Sequence, residues 1–152
     1  MMRSIRWLTG TVLLLALLLV SNLATADATR SGMVRVQLAS LGLPQTITVT
    51  AKGNYSINNT KLSDGRQVIF NLSSGAVQAT VNGSTFGPSS SLNLTRNDTT
   101  ANCGLVLQTQ NTAGSLYPGD ITVSVATQDG VTGLQVVLLI YMQDYLKGVL
   151  PW

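Results

Sequence analysis

Short segments along the chain alternate apolar and polar residues with a period of two. Met33–Leu38 sets Val34, Val36 and Leu38 on one side and Arg35 and Gln37 on the other. Thr46–Thr50 repeats the scheme with Ile47 and Val49, Gln67–Leu72 with Val68, Phe70 and Leu72, and Ala76–Val81 with Val77, Ala79 and Val81; Ile121–Val125 follows it too. Successive side chains of a strand point to opposite faces, so each segment predicts a half-buried β-strand. Between and around them lie Gly42-Leu43-Pro44, Lys52-Gly53-Asn54, Asp64-Gly65, Ser73-Ser74-Gly75, Asn82-Gly83, Gly87-Pro88 and Asp129-Gly130. Gly and Asn reach positive φ at low cost, as tight hairpins require, and Asn82-Gly83 is the strongest hairpin signal among them. Many short strands with frequent turns predict an all-β, antiparallel fold, built either as a sandwich or as a partly open barrel. Thr95–Ala101 has almost no apolar residue and is expected to be an exposed loop.

Two later segments depart from alternation. Leu134–Met142 is nearly continuous apolar sequence, too short to cross a membrane and suited to a central strand covered on both faces. Left without a cover, its Leu, Ile and Val side chains would forfeit about 1.5–3 kcal/mol each, so the chain is expected to aggregate or dimerise. Gln143–Val149 then predicts a short helical turn limited by Gly148 and Pro151.

The N-terminus belongs to a different problem. Arg3 and Arg6 precede the apolar run Val12–Val20, and Ala24-Thr25-Ala26 has the small-x-small form of a signal-peptidase site. Residues 1–26 are therefore expected to be a signal peptide forming a helix, with an uncleaved membrane anchor as the alternative. In either case residues 27–152 are expected outside the cytoplasm, at the cell envelope or secreted, as one domain. Contact with a membrane is expected only if the N-terminal segment is retained. Without that leader, seven basic residues stand against six acidic ones, a net charge of +1. The seven (Arg30, Arg35, Lys52, Lys61, Arg66, Arg96 and Lys147) are scattered, which excludes the clustered phosphate neutralisation that a nucleic-acid binder needs.

The last 36 residues carry a likeness. Tyr117-Pro118-Gly119, the strand at Gly133-Leu134-Gln135-Val136-Val137 and the octet Asp144-Tyr145-Leu146-Lys147-Gly148-Val149-Leu150-Pro151 resemble the stage II sporulation protein D (amidase enhancer) family. Its members show a Tyr-Arg-Gly turn, a Leu-x-Val-Val-Asn strand and a Tyr-Leu-x-Gly-Val-(Val/Leu)-Pro-x-Glu-Met signature. Val34–Ala39 and Tyr55-Ser56-Ile57 are similar to the family's first strands, so the likeness frames residues 34–151. Pro118 stands where Arg is usual, Leu138 where Asn is usual, Tyr141 near a common Pro, and Gln143 where Glu is usual. The resemblance places the family's catalytic Glu directly after Trp152, outside this sequence, so the domain is expected to be incomplete at its C-terminal end.

What the resemblance implies is remodelling of peptidoglycan during spore formation. The family's activity is that of a lytic transglycosylase, or of an enhancer of a wall amidase, with glycan strands, an amidase and other sporulation proteins as partners. One carboxyl group would first protonate the leaving oxygen and then act as base, which requires a raised pKa in a sugar-fitting groove. The sequence after the leader has no Glu and no His, and six Asp. Asp64, Asp98, Asp120 and Asp129 read as turn residues, and Asp27 belongs to the processed end. Asp144 reads either as a positioning residue in the groove or as an acidic residue at a helix start, where the dipole favours it. No catalytic residue is therefore assigned. Tyr117, Asp144, Tyr145, Leu146, Gly148, Pro151 and Trp152 are the candidates for a substrate groove; the aromatic rings serve equally as core or rim packing.

Cofactors and metals are not expected. Zinc sites want closely spaced His and Cys, and Cys103 is the chain's single such residue. Asn97-Asp98-Thr99 lacks the Gly and bidentate Glu of a calcium loop. Cys103 has no disulfide partner and no His to activate it, so a buried thiol is expected. Asn-x-Ser/Thr triplets at Asn58, Asn71, Asn82, Asn93 and Asn97 are taken as products of a composition rich in Asn, Ser and Thr. The competing reading of the whole chain is a non-enzymatic, secreted, β-rich adhesin or wall-binding module.

Overall fold

A computed structural model describes residues 32–98, 103–109 and 112–149. The signal segment 1–26, the stretch 99–101 of the expected loop, and Pro151 and Trp152 lie outside the described residues. Among the described residues twelve strands and one α-helix follow in order, with a short 3-10 turn at Ala39–Leu41: β1 (Met33–Gln37), β2 (Thr46–Lys52), β3 (Tyr55–Ile57), β4 (Thr60–Leu62), β5 (Arg66–Ser73), β6 (Ala76–Val81), β7 (Ser84–Ser89), β8 (Ser91–Arg96), β9 (Gly104–Thr109), β10 (Thr112–Tyr117), β11 (Asp120–Gln128), β12 (Val131–Tyr141) and α1 (Met142–Val149). They form two six-stranded antiparallel sheets, ordered β1-β12-β11-β8-β3-β4 and β10-β9-β2-β5-β6-β7.

The alternation seen in sequence is what closes these sheets on each other. Ile47 and Val49 of β2, Val68 and Phe70 of β5, and Val77, Ala79 and Val81 of β6 are buried from one sheet; Leu92, Leu94, Ile121, Val123, Leu134, Val136, Leu138 and Ile140 are buried from the other, in one shared core. Of the two expected architectures, the fold is therefore the sandwich. From Gly32 onward the chain is one compact unit.

Among the described residues four connections are two-residue hairpins. Ser74-Gly75, Asn82-Gly83 and Asp129-Gly130 have positive φ at both positions, as does Asn58-Asn59 between β3 and β4. Both central residues at positive φ define the turn whose twist matches paired strands. Lys52-Gly53-Asn54 and Asp64-Gly65 are not hairpins but crossings between the sheets, and they are tied together: the Gly53 N–H donates to Asp64 Oδ1 at 2.6 Å, and the Gly65 N–H to the Ala51 carbonyl at 2.7 Å. Gly87-Pro88, expected as a turn, instead lies inside β7, where a register shift opposite Val77–Ala79 absorbs it. β7 is an edge strand, which tolerates the missing proline N–H.

The apolar strand differs from expectation in its surroundings. β12 is hydrogen-bonded on both edges, to β1 and to β11. Only one of its faces is buried; Val137 and Leu139 on the other face are half-buried and Tyr141 is exposed. The core face from Leu134 to Ile140 is covered by the chain's own second sheet, so the expectation of an uncovered strand is corrected for that face. The helix also runs through Gly148 rather than stopping there.

Candidate functional site

Two of the segments that carry the likeness, Tyr117-Pro118-Gly119 and the Asp144 octet, meet at one end of the sandwich, while Gly133–Val137 lies in the first half of β12. β12 ends beside the start of β11, with Leu139 paired to Asp120, and α1 follows immediately. The turn Tyr117-Pro118-Gly119 enters the same end from β10, packed so closely that a Cβ on Gly119 would stand 2.3 Å from the Leu139 carbonyl oxygen. Tyr117 and Tyr145 are both half-buried against the core. Leu146, by contrast, faces outward and is 42% exposed. Of the candidate groove residues, the structure thus gathers Tyr117, Asp144 and Tyr145 at this end, with Gly148 further along α1.

Residues to which the likeness gave no role complete the arrangement. Tyr55 at the start of β3 pairs with Arg96 at the end of β8, so both side chains leave the sheet on its core face. Tyr55 is fully buried, and its hydroxyl donates to the Gly119 carbonyl at 2.9 Å. Burial pushes its phenol well above the usual range; Cys103 and Asp120 nearby act in the same direction and the Arg96 charge opposes them. Asp120 Oδ1 accepts the Arg96 N–H at 2.7 Å, which ties β8 to the start of β11. The Arg96 guanidinium then reaches Asp144 on α1, Nη1 to Oδ2 at 3.8 Å. Cys103 is a buried free thiol beside Gly53.

Two sequence expectations change here. Thr95 and Arg96 belong to β8 rather than to an exposed loop, and the Arg96 side chain is only 8% exposed. Asp120 is more than a turn residue, because its carboxylate holds the neighbouring strand. The available signal for Arg96 was its place in the series Leu92, Leu94, Arg96, which keeps the strand's inward phase. Tyr55 stood in a segment that the likeness marked as a strand, but the three residues of β3 are too few to show which side chain faces inward.

Chemically this is a braced junction. Asp64 holds a backbone N–H, Asp120 does the same, and Asp144 faces a guanidinium. Among the described residues no group of three or more metal-binding side chains exists, and no helix is long and apolar enough to cross a membrane.

No family model, curated relative or solved structure matches this chain.

The Arg96–Asp144 pair should fasten α1 to the sandwich. Asp144 is 31% exposed and the pair is long at 3.8 Å, so water screens part of the attraction. Asp144→Asn is expected to lower unfolding free energy by about 1 kcal/mol in urea denaturation. Asp129→Asn, the same chemical change at a hairpin position with φ 51°, serves as the reference and should cost nothing measurable. Equal behaviour of the two variants would remove the fastening role.

Proposed function

We propose that this protein is an exported peptidoglycan-binding module of the sporulation protein D type, one that holds glycan strands without cutting them itself. The observation behind the reading is the convergence at one end of the sandwich. Tyr117 and the adjacent pair Asp144 and Tyr145, drawn from two separate motif segments, stand around one junction that Arg96 and Asp120 brace. In the family that the motifs resemble, these segments frame the entrance to the sugar-cleaving centre. The carboxylates of this junction serve structure: a general acid needs a proton held in a groove, whereas Asp120 caps a strand end and Asp144 pairs with a cation.

Purified sacculi test the reading directly. The full chain is expected to co-sediment with peptidoglycan and to release no anhydro-muropeptides over hours of incubation. Failure to bind removes the wall-binding proposal; release of cleaved glycan removes the non-catalytic half of it.

The adhesin reading has an observation of its own. On the outward face of the second sheet, Thr48 is in register with Gln108 on one side and Ile69 on the other, and Ile69 in turn with Thr80 and Thr80 with Thr85. Thr46 and Thr50 extend this face along β2. An uncharged row of hydroxyl and amide groups interrupted by one apolar side chain, Ile69, suits neutral polar ligands, and binding to surface glycans without binding to sacculi would favour this second reading.

A further inference from the structure

A groove opens on the second sheet, on strands other than those of the braced junction. It is an open groove of about 400 Å³ lined by Gly65, Arg66, Gln67, Ile69, Thr80, Asn82 and Gly83. That volume falls within the range of roughly 300–1,000 Å³ typical of small-molecule sites. The groove follows from the fold: Ile69 and Thr80 are paired across β5 and β6, while Arg66 begins β5 and Asn82 begins the β6–β7 hairpin, so both come to the same end of the sheet.

The lining has a definite chemistry. Ile69 points outward from a strand whose Val68 and Phe70 face the core, and is 38% exposed, an apolar patch among polar neighbours. Thr80 offers a hydroxyl and Gln67 an amide. Arg66 is half-buried and its Nη1 donates to Asn82 Oδ1 at 2.5 Å, so the guanidinium is oriented before any ligand arrives. A guanidinium has five N–H donors in a planar fork, and this contact uses one of them. A fixed fork is the side chain best suited to a carboxylate.

We propose that this groove binds a saccharide ring carrying a carboxylate. The C–H face of the ring rests on Ile69, the ring hydroxyls exchange hydrogen bonds with Gln67 and Thr80, and the carboxylate engages Arg66. An inorganic anion would use Arg66 alone and leave the apolar patch unused; a neutral sugar would leave the oriented cation unused. The proposal does not depend on the wall-binding reading, since any acidic sugar satisfies it.

The test is a titration of the ¹⁵N-labelled full chain with N-acetylmuramate, galacturonate, N-acetylglucosamine and acetate, following backbone amide shifts. Both acidic sugars are expected to shift the amides of residues 65–69 and 80–83 in a saturable way. N-acetylglucosamine and acetate are each expected to bind at least about tenfold more weakly, since each lacks one half of the recognition. Arg66→Gln should remove the preference for acidic over neutral sugar, and Thr80→Val, which keeps the branched strand residue, should weaken all three sugars alike. Absence of saturable shifts in the groove of the unmodified chain overturns the proposal whatever the variants do. So does equal binding of galacturonate and N-acetylglucosamine, or of galacturonate and acetate. Binding of galacturonate without N-acetylmuramate leaves the groove's chemistry standing and separates it from the wall, whereas loss of sacculus binding with an intact groove response counts against the wall reading alone.

Discussion

Gly119→Val is expected to abolish cooperative folding, or to lower stability by about 4 kcal/mol or more. Gly119 has φ +124°, a conformation that side-chain-bearing residues rarely adopt, and its missing Cβ is the space in which β12 runs. A Cβ there would lie 2.3 Å from the Leu139 oxygen and 3.3 Å from Ile140 Cα. Those are backbone atoms, so no rotamer change relieves the overlap. β12 has no freedom to withdraw, because Leu139 is paired to Arg35 on one side and to Asp120 on the other, and Leu138 and Ile140 are anchored in the core. The substitution also displaces the carbonyl that accepts the Tyr55 hydroxyl. Against the 5–15 kcal/mol that typically separates folded from unfolded domains, a loss of this size is decisive. Urea unfolding followed by tryptophan-independent far-UV circular dichroism measures it. Gly75→Ala is the comparison: its φ is +77° but nothing lies within 4 Å of the added Cβ, so about 1 kcal/mol of backbone strain is the whole expected cost. If valine at 119 cost no more than alanine at 75, the close approach of the turn to β12 would not be structural.

The difference between what the sequence discloses and what it hides follows strand length and phase. β2, β5, β6 and β11 are long enough for two or three apolar residues to repeat at period two, and their inward faces were readable residue by residue. β3 and β4 have three residues each, too few for any period to show. β8 has the right phase at Leu92 and Leu94 but ends in Arg96, and a cation pointing inward contradicts the rule that makes alternation legible. Its guanidinium reaches Asp144, 48 residues further along the chain, while Asp120, 24 residues on, accepts its backbone N–H, and no local pattern foretells such partners. The reverse holds for β12, where continuous apolar sequence suggested two covered faces. Its Val137 and Leu139 are half-buried instead, a degree of shielding that depends on neighbouring strands rather than on β12 itself. For the junction, likeness of motif singled out Tyr117, Asp144 and Tyr145, whereas the residues that brace them had no motif to mark them. The groove at Arg66 was equally silent, because it is made by a cation at one strand's start and a turn asparagine sixteen residues later.

Tyr55 should make the protein sensitive to alkali in a way that a single substitution isolates. Its ordinary pKa is 10.0, and burial holds it well above that in the folded chain. Below about pH 10 the phenol is protonated in both folded and unfolded chains, and its contribution to stability is fully present. Above that, the unfolded chain releases a proton that the folded chain retains, so stability falls by about 1.4 kcal/mol per pH unit until the folded pKa is reached. Tyr55→Phe lacks the ionisable group and therefore lacks this slope. At neutral pH the variant is expected to be less stable by about 1–3 kcal/mol, because the buried Gly119 carbonyl loses its donor. Unfolding free energies of the two proteins, measured in urea between pH 7 and pH 11.5, are thus expected to differ by a constant amount up to about pH 10 and to converge beyond it. Other titrating groups are common to both chains and cancel in the difference. A gap that stayed constant to pH 11.5 would mean that the Tyr55 hydroxyl reaches water, and the packing of the junction over Gly119 would have to be redrawn.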